Sequence, residues 1–245
     1  MAVMVITSTR WKGKWLVVVD FHTHILPVID DGSQSISESV TLLRMQMHQG
    51  VRAVVATPHF YADQNSPEAF LEKRNRVWRQ LAPYLWPELP KVYLGAEVQY
   101  FEGIASVEEI SLLKIEGSDL LLLEMPFHRW TERMIDDVLE INGRSGVQVV
   151  LAHIERYLTK QPKAVWQHLR DNDVLMQSNV SFFADWKTRH KAMCMLANGE
   201  IHILGSDCHD KTKRPPNWDL LPDKAVQVAK DSTSYLSFER NIQKV

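Results

Sequence analysis

Nine residues of this chain are of types that hold divalent metal ions, and most share one kind of position. His22, His24, His59, Glu97, Glu124, His153, Asp207 and His209 each end or closely follow a short apolar run; Asp31 lies in the turn Asp30-Asp31-Gly32. In a strand, residues i and i+2 point to the same side, so the imidazoles of His22-Thr-His24 can share one ion. Asp207-Cys-His209 repeats that spacing. The donors are imidazoles and carboxylates with no thiolate cluster. That mixture excludes a structural zinc finger and suits Mn²⁺, Fe, Zn²⁺ or Mg²⁺. Five histidines and four carboxylates exceed the needs of one ion. They suit two or three ions sharing a bridging carboxylate, with a metal-bound hydroxide as nucleophile. Arg156 and Arg214 follow two of these positions, and arginine grips phosphate oxygens with two N–H groups at once. The implied chemistry is metal-assisted hydrolysis of a phosphoester. His48, His128, His168, His190 and His202 lack comparable placement and read as structural or solvated.

Elements must bring these residues together. The apolar runs are Leu16–Val19, Ala53–Ala56, Val92–Leu94, Asp119–Leu123, Val147–Leu151, Val174–Met176 and Ile201–Leu204. Short β-branched or Leu runs suit strands buried on both faces, as in parallel sheets. Helical patterns lie between most of them. Ser37 is expected to cap a helix that stops at Gly50, and Ser66-Pro67 to open another. Thr131 is expected to cap a third that ends at Asn142-Gly143. Further helices are expected over 163–171, 184–197 and 222–243. This β/α alternation predicts an α/β fold with a parallel sheet of about seven strands. Periodicity does not decide between an open sheet and a barrel. The chemistry favours a closed or nearly closed barrel, because only there do all C-terminal strand ends converge on one face.

Composition agrees. The 245 residues are 45% hydrophobic and 24% charged, with a formal net charge of -2. That argues against disorder and, lacking a basic stripe, against a dedicated nucleic-acid binder. A chain this long buries roughly 70–75% of its unfolded surface without a disulfide or metal staple. Cys194 and Cys208 are no disulfide framework and point to a reducing compartment. No apolar run reaches the roughly 20 residues of a membrane span. The basic start and Trp15–Val19 imitate a signal peptide, but the run is too short and lacks a small-residue cleavage site. Residues 1–14 read as an arm or an upstream start, residues 15–245 as one domain, and the location as cytoplasmic.

The motifs also resemble a known family. Asp20-Phe-His-Thr-His-Ile-Leu-Pro-Val-Ile-Asp-Asp-Gly32, Ala56-Thr-Pro-His59 and Gly95-Ala-Glu97 carry the likeness. It continues in Leu123-Glu-Met-Pro-Phe127, Ala152-His-Ile-Glu-Arg-Tyr157 and Gly205-Ser-Asp-Cys-His209 with Arg214. Over about 18–215 the chain resembles the polymerase-and-histidinol-phosphatase (PHP) superfamily. Within it the chain resembles the bacterial manganese-dependent protein-tyrosine phosphatases of capsule and exopolysaccharide operons. The resemblance implies a distorted (β/α)7 TIM-like barrel and two or three divalent ions, with Mn²⁺ favoured over Fe, Zn²⁺ or Co²⁺. It implies that His22, His24, Glu97 and Asp207 hold one ion. Glu97, Glu124 and His153 would hold a second, and Asp31, His59 and His209 a third. Arg156 and Arg214 would bind the phosphoryl oxygens. The implied substrate is a phosphotyrosyl protein, an autophosphorylating tyrosine kinase controlling polysaccharide synthesis. Departures are mild: Ile154 stands where the family has Pro, Cys208 where a small residue is usual, and Val28 where Gly is common. The segment 179–184 matches poorly.

Four other readings stay open on the sequence. A small-molecule phosphatase of the same superfamily, acting on a substrate such as histidinol phosphate, would use the same ligands. An amidohydrolase-type barrel also opens with His-x-His. Cys208 and Arg214 have the C-x5-R spacing of thiol phosphatases, although His209–Lys213 lacks the glycine that helps such loops cradle phosphate. A regulatory partner of a tyrosine kinase could keep the metals as structure.

Overall fold

The computed structural model describes Arg10–Trp11, Lys14–Trp15 and residues 18–236. Most of the expected arm over 1–14, and the expected helix beyond 236, lie outside the described residues. So do Leu16 and Val17 of the first expected strand. Arg10–Trp11 and Lys14–Trp15 pair antiparallel. The remaining strands are β1 (Val18–Thr23), β2 (Val51–Ala56), β3 (His59–Phe60), β4 (Lys91–Leu94) and β5 (Glu97–Gln99). They continue with β6 (Leu120–Glu124), β7 (Gln148–Leu151), β8 (Leu175–Asn179) and β9 (Ile203–Gly205). Over the described residues, all seven expected runs lie in or against these strands.

The result is a mixed α/β fold with a curled parallel sheet. One sheet has the order β9-β8-β7-β6-β5-β3 and the other β1-β2-β4. The two are one surface interrupted by bends. β2 runs through Thr57-Pro58 into β3, and β4 through Gly95-Ala96 into β5. Gly95 N–H donates to Ala56 O at 2.8 Å, and Thr57 N–H donates to Thr23 O at 2.8 Å. The ends of the curl also meet. Thr23 bridges Cys208 in parallel, and Asp207 N–H donates to His22 O at 2.8 Å. Buried Asp20 latches this junction: its carboxylate accepts Ser206 N–H at 2.8 Å, His22 N–H at 3.2 Å and Trp218 Nε1–H at 2.8 Å. Burial lifts its carboxyl to about 6 against the pull of these hydrogen bonds.

Helices cover the outside: α1 (Ile36–His48), α2 (Pro67–Leu81), α3 (Glu132–Asn142), α4 (Lys163–Asp171), α5 (Val180–Ala184), α6 (Arg189–Ala197) and α7 (Val226–Asp231). Ser66 and Thr131 cap α2 and α3 as expected, and α4 has the expected limits. The cap of α1 is Ser35, not Ser37. Ser35 has extended backbone and its Oγ accepts Glu38 N–H, while the Glu38 carboxylate accepts Gln34 N–H at 3.0 Å. That reciprocal pair satisfies free N–H groups earlier in the chain than Ser37 could. The helix expected over 184–197 starts only at Arg189, and 185–188 separate it from α5. The break is held by Thr188 Oγ1 donating to Phe182 O at 2.7 Å and by the Arg189 guanidinium donating to Phe183 O at 2.9 Å.

Alternating strand residues build two cores. Val19, Phe21, Ala53, Val55, Tyr93, Leu120, Leu122, Val150, Leu175 and Ile203 pack together inside the curl. Val54, Leu121, Leu123, Val149 and Leu151 pack with Leu42 and Leu43 of α1, Phe70 of α2, Val138 of α3 and Leu169 of α4. This is the both-faces burial that the uninterrupted apolar runs predict. Each buried Val, Leu, Ile or Phe among them stabilises the fold by about 1.5–3 kcal/mol.

Candidate metal centre

The interior row of each strand ends in polar residues. Ala53 and Val55 are followed at the same two-residue period by Thr57 and His59, Tyr93 by Gly95 and Glu97, and Leu120 and Leu122 by Glu124. Leu175 leads to Gln177 and Asn179, and Ile203 to Gly205 and Asp207. The period of 2 therefore delivers His59, Glu97, Glu124 and Asp207 to the C-terminal end of the same interior. Three of these residues, His22 and His24 at the end of β1 and His153 after β7, break the parity, and each place has a backbone irregularity. The register of β1 against β2 shifts between Asp20 and Thr23, which brings His22 and His24 inward. His153 follows Ala152 with φ 32, and Asp207 has φ 56. Non-glycine residues in that region carry strain, which concentrates at functional sites.

All nine predicted ligand residues converge. Glu97 lies at the centre. Its Oε2 is 3.1 Å from His22 Nε2, 3.2 Å from His24 Nε2 and 3.1 Å from His59 Nδ1. Its Oε1 is 2.9 Å from His153 Nε2, which is 3.2 Å from Glu124 Oε1. Asp207 Oδ1 is 3.6 Å from His22 Nε2, His24 Nε2 and His209 Nδ1. Asp31 Oδ1 is 3.4 Å from His59 Nε2 and 3.3 Å from His209 Nε2. Three sets have ligand atoms that all lie within 4.8 Å of one another: His22, His24 and Asp207; His59, Glu97 and Glu124; and His24, Asp31, His59 and His209. His24 and His59 thus each belong to two sets, where the resemblance implies one.

The donor set fits divalent ions. Glu97 Oε2, His59 Nδ1 and His209 Nε2 are buried with no hydrogen-bond partner, although their neighbours are close. Lone pairs aimed at a common point, and not at each other's protons, are what a cation requires. Four histidines are also oriented from behind through Nδ1. His22 Nδ1 meets Gln177 Oε1 at 3.3 Å, and His24 Nδ1 meets Asp30 Oδ2 at 2.7 Å. His153 Nδ1 meets the Tyr157 hydroxyl at 3.3 Å, and His209 Nδ1 meets Asp207 O at 3.0 Å. Such outer partners hold the ring and leave Nε2 as the donor to metal.

Titration follows the same logic. Burial would raise Glu97, but the charge of His22 and the close imidazoles of His153, His22 and His24 override it and hold the carboxyl well below its usual range. Burial would lower His24, yet its hydrogen bond to Asp30 and the Glu97 carboxylate beside it lift it to about 10. The same opposition at His153, with Glu124 and Glu97 as partners, lifts it to about 9. His209 is pushed down to about 4 by burial and by the charge of His24. The clustered carboxylates need positive charge at their centre, and divalent ions would supply it.

Arg156 and Arg214 reach the same carboxylate oxygen. Their Nη2 atoms lie 2.5 Å and 2.7 Å from Asp207 Oδ2, which also accepts Asn179 Nδ2–H at 3.0 Å. Both guanidiniums stay partly open to solvent, with side chains 35% and 40% exposed. Two glycines make room for the histidines. A Cβ on Gly32 would stand 2.2 Å from His24 O, and one on Gly205 2.5 Å from the His22 Cβ.

Several supporting residues carry only weak signals in the sequence. Asp30 orients His24, accepts His59 N–H at 3.1 Å and Gly32 N–H at 3.0 Å. Gln177 accepts His153 N–H at 2.7 Å as well as meeting His22. The spacing Gln177-x-Asn179 on one strand is the signal that could have found that pair. Cys208 is fully buried. Its Sγ accepts Gln46 Nε2–H at 3.3 Å, and burial pushes the thiol up to about 12. It is therefore no thiolate nucleophile at neutral pH.

The family described as "Capsular polysaccharide synthesis, CpsB/CapC" matches residues 18–235. The chain belongs to this family. It is 30% identical over 211 residues to tyrosine-protein phosphatase CpsB of Streptococcus pneumoniae, covering 81% of this chain and 86% of that one. It is 26% identical over 208 residues to tyrosine-protein phosphatase YwqE of Bacillus subtilis (strain 168), covering 80% and 79%. The fold is similar to a solved structure from work on YwqE of Bacillus subtilis and CpsB of Streptococcus pneumoniae, there called unique metal-dependent tyrosine phosphatases. The TM-score is 0.74 at 20% identity, covering 89% of this chain and 94% of that one. Among the described residues of this CpsB/CapC family member, no helix is long and apolar enough to cross a membrane.

Proposed function

We propose that this chain is a metal-dependent phosphomonoesterase that removes phosphate from phosphotyrosine on proteins. The observation that carries the reading is two partly exposed arginines on Asp207, at the rim of nine converging metal-competent side chains. Its CpsB and YwqE relatives carry the name tyrosine-protein phosphatase. The family's place in capsular polysaccharide synthesis supports an autophosphorylating tyrosine kinase of that process as the substrate protein. Two free cysteines support a cytoplasmic location. The parallel rows that close at Thr23 and Cys208 support reading the curl as the distorted (β/α)7 barrel of the PHP fold, with 15–245 as one catalytic unit.

His22, His24, Glu97 and Asp207 would hold one ion, Glu97, Glu124 and His153 a second, and Asp31, His59 and His209 a third. Divalent ions there, Mn²⁺ first among Fe, Zn²⁺ and Co²⁺, supply Lewis-acid charge and acidify water. The protein does the positioning. Each guanidinium commits one amino group to Asp207 and turns its remaining N–H groups to the equatorial phosphoryl oxygens, where charge accumulates in the transition state. Asp207 holds both arginines in place, so one carboxylate couples metal binding to phosphate binding. A tyrosine leaving group, with a pKa near 10, needs less protonation than a serine alkoxide, which suits a site whose polar groups are mostly ligands.

The test is phosphate release from a phosphotyrosyl peptide by metal-stripped protein, then after adding Mn²⁺. Activity that disappears on stripping and returns with Mn²⁺ is expected. Turnover that survives complete stripping would overturn the reading. Turnover restored only for small phosphomonoesters would move the substrate away from proteins.

A further inference from the structure

The phosphotyrosine reading leaves one part of the substrate without a partner, its aromatic ring, and the inference rests on that reading. Phe127 stands three residues beyond the end of β6, whose last residue is the ligand Glu124. The side chain is 49% exposed, whereas Phe21, Phe60 and Phe183 are buried to 1% or less. The exposed ring does not float. It stacks on Tyr157 at 5.4 Å and 22°, and on His153 at 6.0 Å and 19°. Trp130 supports Tyr157 from its own side, with ring centroids 5.3 Å apart. The Arg156 guanidinium carbon lies 5.9 Å from the Phe127 centroid. A rigidly backed apolar ring thus keeps half its surface open beside a phosphate-binding arginine and a ligand histidine. A single exposed apolar residue is common on protein surfaces; what sets Phe127 apart is its place, stacked on His153 and beside Arg156.

We propose that Phe127 receives the aryl ring of the phosphoester and sets preference for aromatic over aliphatic phosphates. A phosphoryl group held by Arg156 leaves its ester substituent at the rim, where Phe127 offers offset or edge-on packing at the usual 4.5–7 Å separation. Phe127 then acts on substrate binding through the leaving group and not on the phosphoryl group itself.

The experiment compares two non-hydrolysable ligands by calorimetry on the Mn²⁺-loaded protein. Phenylphosphonate has the ring; methylphosphonate does not. Phe127→Ala is expected to weaken phenylphosphonate about tenfold and to leave methylphosphonate within about twofold, the size of one aromatic pair plus its buried area. Phe127→Tyr, which keeps the ring, is expected to bind both as wild type does. Equal weakening of both ligands would reduce Phe127 to a cover over His153 and overturn the proposal. So would wild-type protein that binds phenylphosphonate no better than methylphosphonate. Binding that follows the prediction in a protein unable to hydrolyse a phosphotyrosyl peptide would instead overturn the functional reading alone.

Discussion

Two layers of the same sheet, one residue pair apart, have opposite characters. The inner layer, with Phe21, Val55, Leu122, Val150 and Ile203, is apolar and fully packed. The layer above it holds Glu97, His22, His24, His59, His153 and Asp207, and polar atoms of Glu97 and His59 there find no hydrogen-bond partner. The lower layer stabilises the fold by burial. The upper layer sets that stability aside to leave lone pairs pointing at a common centre, as a cation would need. The difference shows how one fold separates the cost of a functional site from the source of its stability.

Glu97→Gln tests the comparison hardest. Removing the central charge should cost several kcal/mol of transition-state stabilisation, about a thousandfold or more in kcat/KM. Elemental analysis should show lost metal alongside. A variant with full metal content and near wild-type turnover would refute the central role. Gly205→Ala should follow, because its Cβ would stand 2.5 Å from the His22 Cβ. Activity should fall about a hundredfold, with metal content reduced, as the His22 ring is pushed out of position. Asp30→Asn should weaken metal affinity by about 10–100-fold through His24, read by competition with a chelator; unchanged affinity would make Asp30 a turn residue only. Leu122→Ala sharpens the contrast from below. It should lower stability by about 2–5 kcal/mol in denaturant titration while the folded protein keeps its metal and its kcat. Cys208→Ser should leave turnover in place, and its loss would return the thiol to the mechanism.

Much of the fold is legible in the amino-acid sequence. The strands are visible because parallel strands buried on both faces need unbroken apolar runs, and a polar residue after such a run stands out. That is why Glu97 and Glu124 can be picked from many carboxylates. Local signals fail where alternatives are nearly equal. Ser35 and Ser37 both suit a cap, and only Glu38 reaching back to Gln34 decides between them. The break at 185–188 depends on side chains of Thr188 and Arg189 satisfying carbonyls of the preceding turn, which no periodicity reveals.

The residues that support the ligands are the least legible part. Asp30, Gln177 and Tyr157 are ordinary polar residues until the fold brings His24, His22 and His153 against them. Hydrogen bonds across 155 positions of chain, as between His22 and Gln177, leave no trace in local spacing.

By itself, the sequence determined the α/β alternation, the donor types and the two arginines, because residue chemistry and strand period are local properties. Only the tertiary structure decided that His22, His24, His59 and His153 all gather on Glu97, that both arginines share Asp207, and that Gly32 and Gly205 make room for histidines. Those facts are distances between strands, and distance between strands is set by the curl of the sheet.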